Sequence, residues 1–344
     1  MKPHTFLAIG DTVIDAFIKL KIAEIQQDSS GGHKTLCMPF GEKLPFEEAV
    51  EVCGVGNSAN AAVSAARLGL NSSLLTCLGK DDNGKKCLDT LTGDSVDISE
   101  IQSFDGKHTN YHYVLWYEHE RTILIKHEEF NYHIPTSYPE YLYLSSLGEN
   151  SLTYHEQLST YLRTHPETKL VFQPGTFQIK FGTDALKEIY ERSLVFFCNK
   201  EEAIHILKLD ENKEHSMKEL LLGLRALGPK LPVITDGPNG AYTFDTDIRI
   251  VDTAVFDQGS PIIHMPIYPD IKEPLERTGA GDAFASTFTT ALALERSIEE
   301  AMMWGSINSM SVCQEIGAQK GLLTADKIEE YIKQAPENWK SEII

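Results

Sequence analysis

The stretch Glu276-Arg277-Thr278-Gly279-Ala280-Gly281-Asp282-Ala283-Phe284 passes from small residues directly into a carboxylate and then into an apolar pattern. Phe284, Phe288 and Leu292 recur at helical spacing, and Ala285, Ala291 and Ala293 fill the turns, so a buried helix is expected to start near Asp282. The first turn of such a helix carries unpaired backbone N–H groups, which together with the positive end of the helix dipole form a site for an anion. Gly279, Ala280 and Gly281 let a phosphate approach that backbone without a side chain intervening. Asp282 then has two readings: it complements the helix dipole, or it is a base beside a phosphate site that accepts the proton of an attacking hydroxyl.

The composition narrows the surroundings of this motif. A chain of 344 residues with 42% hydrophobic content has enough material for one large core with at most a small appendage. A formal charge of -19 argues against a nucleic-acid or anionic-membrane surface, because a diffuse polyanion would be repelled over most of the protein. The six cysteines form no C-x-x-C pair and read as reduced core residues. The apolar part of the N-terminal segment is too short for a signal peptide, and no stretch approaches the ~20 apolar residues of a membrane span. A cytoplasmic protein is the expectation.

Short apolar runs ending in Gly, Asn, Asp or Pro alternate with helical patterns along most of the chain. Strands are expected over 6–9, 73–78, 141–144, 170–173, 195–198 and 233–235, with helices over 58–68, 154–164, 184–191, 200–207 and 217–227. That alternation implies a mostly parallel sheet with helices on both faces, whose ligands bind beyond the carboxyl ends of the strands. Asp11, Gly175, Asn199 and Asp236 all follow strands directly. Two segments break the pattern: 16–52, punctuated by Gly and Lys, and a hairpin of 110–116 with 122–126 around Glu118-His119-Glu120-Arg121. Together they are expected to form a small β lid, and the proline-rich stretch 259–274 a loop feeding the phosphate motif.

Three more blocks accompany the opening motif. Gly10-Asp11-Thr12-Val13-Ile14-Asp15 ends the first strand, Gly54-Val55-Gly56-Asn57-Ser58-Ala59-Asn60-Ala61-Ala62 opens a helix of small residues, and Asn199-Lys200-Glu201-Glu202 follows a later strand. With Gly279-Ala280-Gly281-Asp282 they resemble, in order and over nearly the whole chain, the ribokinase/PfkB-type carbohydrate kinases. The resemblance implies an α/β, ribokinase-like three-layer sandwich, its mostly parallel sheet flanked by helices and carrying the small β lid. The α/β body would comprise 1–15, 53–103 and 131–344, with 16–52 and 104–130 as the inserted lid.

The same resemblance implies site roles. Asp282 would be the general base, and Gly279, Ala280 and Gly281 the anion hole. Asp11, Asp15, Gly56, Asn57 and Asn60 would face the sugar, with Val55 standing where the family has the first Gly of a pair. Asn199 and Glu202 would organise Mg²⁺ through water, although Asn199 also reads as a helix N-cap. Thr235, Gly237, Gly240 and Asn308 would lie along ATP, while Gly237 and Gly240 equally suit an ordinary turn and Asn308 helix packing. Arg277 and Glu276 replace the family's Thr and Asp. Arg277 would neutralise a phosphate on the substrate or in transfer, or else cap the loop, and Glu276 bears on a monovalent-cation site that some relatives build here. Arg121 sits where related kinases have a substrate-facing cation, which an exposed hairpin turn explains equally.

His108, His112, His119, His127 and His133 have no spacing that makes a metal set. Tyr111, Tyr113, Trp116 and Tyr117 would close over substrate, build the lid or make a homodimer contact. The expected activity is ATP-dependent phosphorylation of a primary hydroxyl on a sugar, with a nucleoside or a sugar phosphate as the alternatives. A non-catalytic sugar- or nucleotide-binding regulator is the reading outside enzymes. A nucleotide-binding oxidoreductase is disfavoured because no Gly-x-Gly-x-x-Gly follows the first strand.

Overall fold

The computed structural model describes residues 5–27, 34–118, 120–249, 251, 253–275 and 277–344. Glu276, with the monovalent-cation site it bears on, and His119 lie outside these. A ten-stranded sheet runs from Glu342–Ile343 through Ile262–Met265, Ala241–Phe244, Leu231–Thr235, Ser193–Asn199, Lys169–Phe172, Tyr141–Leu144, Phe6–Ile9 and Ser72–Gly79 to Ile101–Phe104. Pairing is parallel from Ile101–Phe104 across to Leu231–Thr235 and antiparallel beyond it. Phe6–Ile9 is where the strand order reverses, its neighbours being Ser72–Gly79 on one side and Tyr141–Leu144 on the other. In an open parallel sheet such a point leaves a crevice at the carboxyl ends of the strands.

The interior strands are continuous apolar runs because helices cover both faces. Phe6, Leu7, Ala8 and Ile9 are all fully buried, as are Leu142, Tyr143 and Leu144. The small residues of helix Asn57–Arg67 allow close packing on helix Ala280–Ala293, where Ser64 Oγ meets Thr287 Oγ1 at 3.3 Å. Phe288 of the second helix is fully buried and edge-on to Phe197, with ring centroids 5.4 Å apart. Burial of such a ring contributes ~1.5–3 kcal/mol, and it seats the helix so that its N-terminus opens onto the crevice.

A separate four-stranded sheet has the order Phe46–Val55, Val13–Leu20, Asn110–Tyr117, Glu120–Leu124. Its strand Val13–Leu20 begins inside the segment assigned to the body from the sequence, so Asp15 belongs to the small sheet. The second hairpin strand lies at Glu120–Leu124 rather than 122–126, because Tyr117 pairs directly with Glu120 and Glu118 takes a positive φ of 53° at a tight turn.

Two other expectations are corrected. Within 259–274, Ile262–Met265 is a strand rather than loop, bracketed by Pro261 and Pro266 and paired with Ala241–Phe244. In place of one helix over 184–191 there are two, Thr176–Ala185 and Lys187–Arg192, the first interrupted at Gly182, whose φ of 84° is not helical. No helix among the described residues is long and apolar enough to cross a membrane.

Candidate active site

Helix Ala280–Ala293 begins at Gly279, which adopts the left-handed region (φ 77°), and no side chain caps it. A Cβ on Gly281 would have no atom within 4 Å, so the backbone faces open space and not a packed neighbour. Thr235, Gly237, Gly240, Arg277, Ala280 and Gly281 line one cavity, which also takes in Phe284, Ser309 and Met310. Small residues at a helix start together with apolar side chains such as Phe284 and Met310 are a lining of the kind a nucleotide takes.

The two glycines predict opposite outcomes. Gly279→Ala would place a Cβ 2.3 Å from the Ala318 Cβ at a positive φ, and we expect it to destabilise the protein by about 2–4 kcal/mol in chemical denaturation. Gly281→Ala should unfold as the wild type does while weakening nucleotide binding in calorimetry.

The Asp282 carboxylate sits at the edge of this cradle and accepts three amide hydrogen bonds. Asn57 Nδ2 donates to Oδ1 at 3.0 Å, Asn60 Nδ2 to Oδ2 at 2.9 Å and Gln173 Nε2 to Oδ1 at 3.1 Å. Gly56 makes the first contact possible: as the residue before the helix it has φ 119°, and a Cβ there would lie 2.6 Å from the Asp11 carbonyl oxygen. Although Asp282 is reached from the crevice, protein surrounds it closely. Burial is the largest influence and pushes its carboxyl above the ordinary value, the three amides oppose that, and the charge of Asp15 adds to the rise.

Asn57 and Asn60, expected to face the sugar, thus meet on the Asp282 carboxylate itself. Gln173 was legible only as the last residue of an expected strand. A polar side chain at the carboxyl end of a buried parallel strand was the available signal.

Asp11 is 5% exposed and both its oxygens are occupied. Tyr132 donates its hydroxyl to Oδ1 at 2.9 Å, and His127 Nδ1 lies 3.2 Å from Oδ2. The chain continues from His127 Nε2 to His112 Nε2 at 3.2 Å, and His112 Nδ1 lies 3.3 Å from Asp15 Oδ1, off hydrogen-bond alignment. A nitrogen-to-nitrogen contact at this distance holds one proton between the rings. The two histidines, to which the sequence assigned no role, therefore connect the two carboxylates, and Asp15 is the more accessible of the pair.

Asn199 and Glu202 form a reciprocal capping box at helix Lys200–Ile206: Glu202 N–H donates to Asn199 Oδ1 at 2.7 Å, and Asn199 N–H to Glu202 Oε2 at 2.8 Å. The N-cap reading of Asn199 is what the geometry contains. Burial, the larger cause, and the Asp282 charge raise the Glu202 carboxyl above its usual range. The Asn199 amide and the Glu202 carboxylate suit a divalent cation held through water, and among the described residues no cluster of three or more His, Cys, Asp or Glu would bind one directly.

Two expected site residues fall elsewhere, Asn308 and Arg121. Asn308 is fully buried and saturated, donating to Thr287 Oγ1 at 2.7 Å and accepting from Leu323 N–H at 2.9 Å. The face of helix Ile298–Val312 that reaches the cavity carries Ser306, Ser309 and Met310, so the helical phase turns Asn308 away. Arg277 lines the same cavity as Ala280 and Gly281. Arg121 is exposed and pairs with Trp116, which in turn aligns with Lys19, four residues along the strand from Asp15. At ~3.3 Å per residue that is about 13 Å away.

The sequence matches the pfkB family carbohydrate kinase model over residues 41–325. A cytidine kinase of Thermococcus kodakarensis is 27% identical over 289 residues, 82% of this chain and 93% of that protein. The ribokinase of Bacillus subtilis is 24% identical over 289 residues, 80% and 87% of the two chains. Among solved structures, Arabidopsis thaliana ribokinase complexed with ribose and ATP superposes with a TM-score of 0.72 at 17% identity, covering 97% of this chain and 99% of its own. The nucleoside kinase of Methanocaldococcus jannaschii, an archaeal member of the ribokinase family, gives 0.71 at 18%, with 96% and 98% covered. The chain has the ribokinase fold and belongs to the pfkB family of carbohydrate kinases. It is an ATP-dependent kinase of a small molecule.

Proposed function

We propose that the protein transfers the γ-phosphoryl group of ATP to a primary hydroxyl of a sugar, with Asp282 as the general base. The observation that carries this reading is the Asp282 carboxylate, held by three amides at the edge of an uncapped helix N-terminus. A binding protein has no use for a desolvated base at that position.

Asp282 takes the proton of the acceptor hydroxyl as it attacks in line. Gly279, Ala280 and Gly281 place backbone where negative charge spreads over the transferring oxygens. In this reading Arg277 serves the transferred phosphoryl group rather than a phosphate already on the acceptor, and its position in the cavity with Ala280 and Gly281 supports that. Bound MgATP supplies the phosphoryl group and the cationic charge that offsets it, with Asn199 and Glu202 ordering the water shell of the metal. Asp15 holds acceptor hydroxyls, and Asp11 supports the pocket through Tyr132 and His127.

The segments 16–52 and 104–130, which carry most of the small sheet, act as a lid that excludes water from the transfer. Its exposed Phe46, Tyr113, Ile123 and Leu124 fit a homodimer contact. A cytoplasmic location belongs to this reading because the phosphoryl donor is ATP.

A nucleoside acceptor is the second reading. The relative named a cytidine kinase favours it, as does Phe177, whose partly exposed ring lies edge-on to His127 with centroids 6.3 Å apart. ADP release with ATP and Mg²⁺ against free sugars, sugar phosphates and nucleosides separates the readings. Turnover confined to sugars is the expected result, and turnover confined to nucleosides would replace it with the second. No turnover with any acceptor would overturn both.

A further inference from the structure

An Asn or Gln amide presents a donor at one end and an acceptor at the other, and half a turn of the side chain exchanges them. Only the donor end supports a carboxylate. Two buried residues decide which end Asp282 meets. Gln319, 5% exposed, donates from Nε2 to the Gly54 carbonyl at 2.7 Å and to Asn60 Oδ1 at 3.1 Å. A backbone carbonyl only accepts, so Gly54 fixes the turn of Gln319, and Gln319 in turn leaves Asn60 its Nδ2 for Asp282. Tyr143, fully buried, donates its hydroxyl to Gln173 Oε1, which leaves Gln173 its Nε2 for the same carboxylate.

Both outer contacts are themselves anchored. Arg67 donates to the Gln319 carbonyl at 2.6 Å and to the Leu322 carbonyl at 3.1 Å while pairing with Asp94 at 2.7 Å, which ties down the backbone of the segment. Burial holds the Tyr143 hydroxyl protonated far above its ordinary range, so it remains a donor throughout.

We propose that Gln319 and Tyr143 are positioning residues that set the basicity of Asp282 by turning the donor ends of Asn60 and Gln173 toward its carboxylate. The catalytic consequence rests on the kinase reading, while the effect on the carboxyl does not. The other groups facing Asp282 are the Asn57 amide, the charges of Asp15 and Glu202, and Tyr143 itself. Losing one donor to the charged form moves a carboxyl upward.

The test follows the Asp282 carboxyl directly by carbon-13 NMR titration of [13C]aspartate-labelled protein, its signal assigned by its absence from Asp282→Asn. Tyr143→Phe and Gln319→Met should each raise the midpoint by roughly one pH unit, about ten-fold in acidity. The acid limb of kcat/KM should rise with it. Tyr143→Phe should add nothing in a Gln173→Ala background, since it acts only through that amide. Gln319→Leu, of similar volume, uncharged and without a donor, serves should the methionine variant not fold, and it should move the midpoint in the same direction. An unmoved midpoint in the folded variants would overturn the proposal, as would a Tyr143→Phe effect that persists without Gln173. A shifted midpoint in a protein that turns over no acceptor would sustain the positioning role and overturn the kinase reading beneath it.

Discussion

Asp282→Asn is expected to lower kcat by about three orders of magnitude while leaving the affinity for ATP within a few-fold of the wild type. A positioned general base contributes typically ~10²–10⁴-fold to the rate, and the other described carboxylates near the crevice are engaged elsewhere, Asp15 being given to the acceptor hydroxyls in the proposed reading. Asp11 is closed off by Tyr132 and His127, and Glu202 is tied into its capping box. The substitution also disturbs the amides. Aspartate offers two acceptor oxygens to Asn57, Asn60 and Gln173, whereas asparagine offers one and sets a fourth NH₂ among three.

Stability should not fall in parallel. Asp282 has a raised carboxyl pKa in the folded protein, so the folded state binds its proton more readily than the unfolded chain does. Folding therefore loses stability as pH rises from the ordinary carboxylate range through the raised value, and the full cost is present above it. Removing the charge recovers that cost and offsets the mismatched donors. ADP-release kinetics and thermal unfolding on the same preparation, at pH 8, measure both. A mutant retaining more than about a tenth of the wild-type kcat would sink the assignment of the base.

How much of this was legible in the sequence depends on the range of the forces involved. Helix Ala280–Ala293 and its uncapped start follow from local pattern, because apolar spacing and small residues act within a few turns. The interior parallel strands were likewise readable: the expected 6–9 and 141–144 coincide with Phe6–Ile9 and Tyr141–Leu144, and buried strands are plain apolar runs. Strand Ile262–Met265 was hidden because it is four residues between two prolines, and only its antiparallel partners make it a strand.

The site divides in the same way. Asp282 and the asparagines stood out in their motifs, but that the asparagines bond the Asp282 carboxylate did not, since the bond from Asn60 spans 222 residues of sequence. Gln173 and Gln319 carry no periodic signal, and an amide's orientation exists only in the folded network. Asn308 and Arg277 were placed by motif proximity. A shift of one residue around a helix turns a side chain by ~100°, which is enough to send Asn308 to Thr287 and its neighbour Ser309 to the cavity.

Glu202→Gln should separate charge from structure at the other carboxylate. Glutamine has the same length and an oxygen that accepts the Asn199 N–H, so the capping box and helix Lys200–Ile206 are retained. What disappears is a negative charge that burial and Asp282 hold above its normal pKa. By the same linkage the wild type loses stability as pH rises from the ordinary glutamate range through that raised value. In the absence of nucleotide the variant should therefore melt at or above the wild-type temperature at pH 8, and the difference should vanish below about pH 4, where an ordinary glutamate is protonated.

Activity should move the other way. A residue that orders the water shell of a metal typically contributes roughly 10- to 100-fold, so kcat should fall by that factor and more Mg²⁺ should be needed for half-maximal rate. The thermal stabilisation given by MgATP should shrink, because the variant no longer has a charge for the cation to offset. Melting curves with and without MgATP, beside a magnesium titration of the rate, measure all three effects. Unchanged magnesium dependence in a folded Glu202→Gln protein would confine Glu202 to its helix cap and leave the cation to the nucleotide phosphates alone.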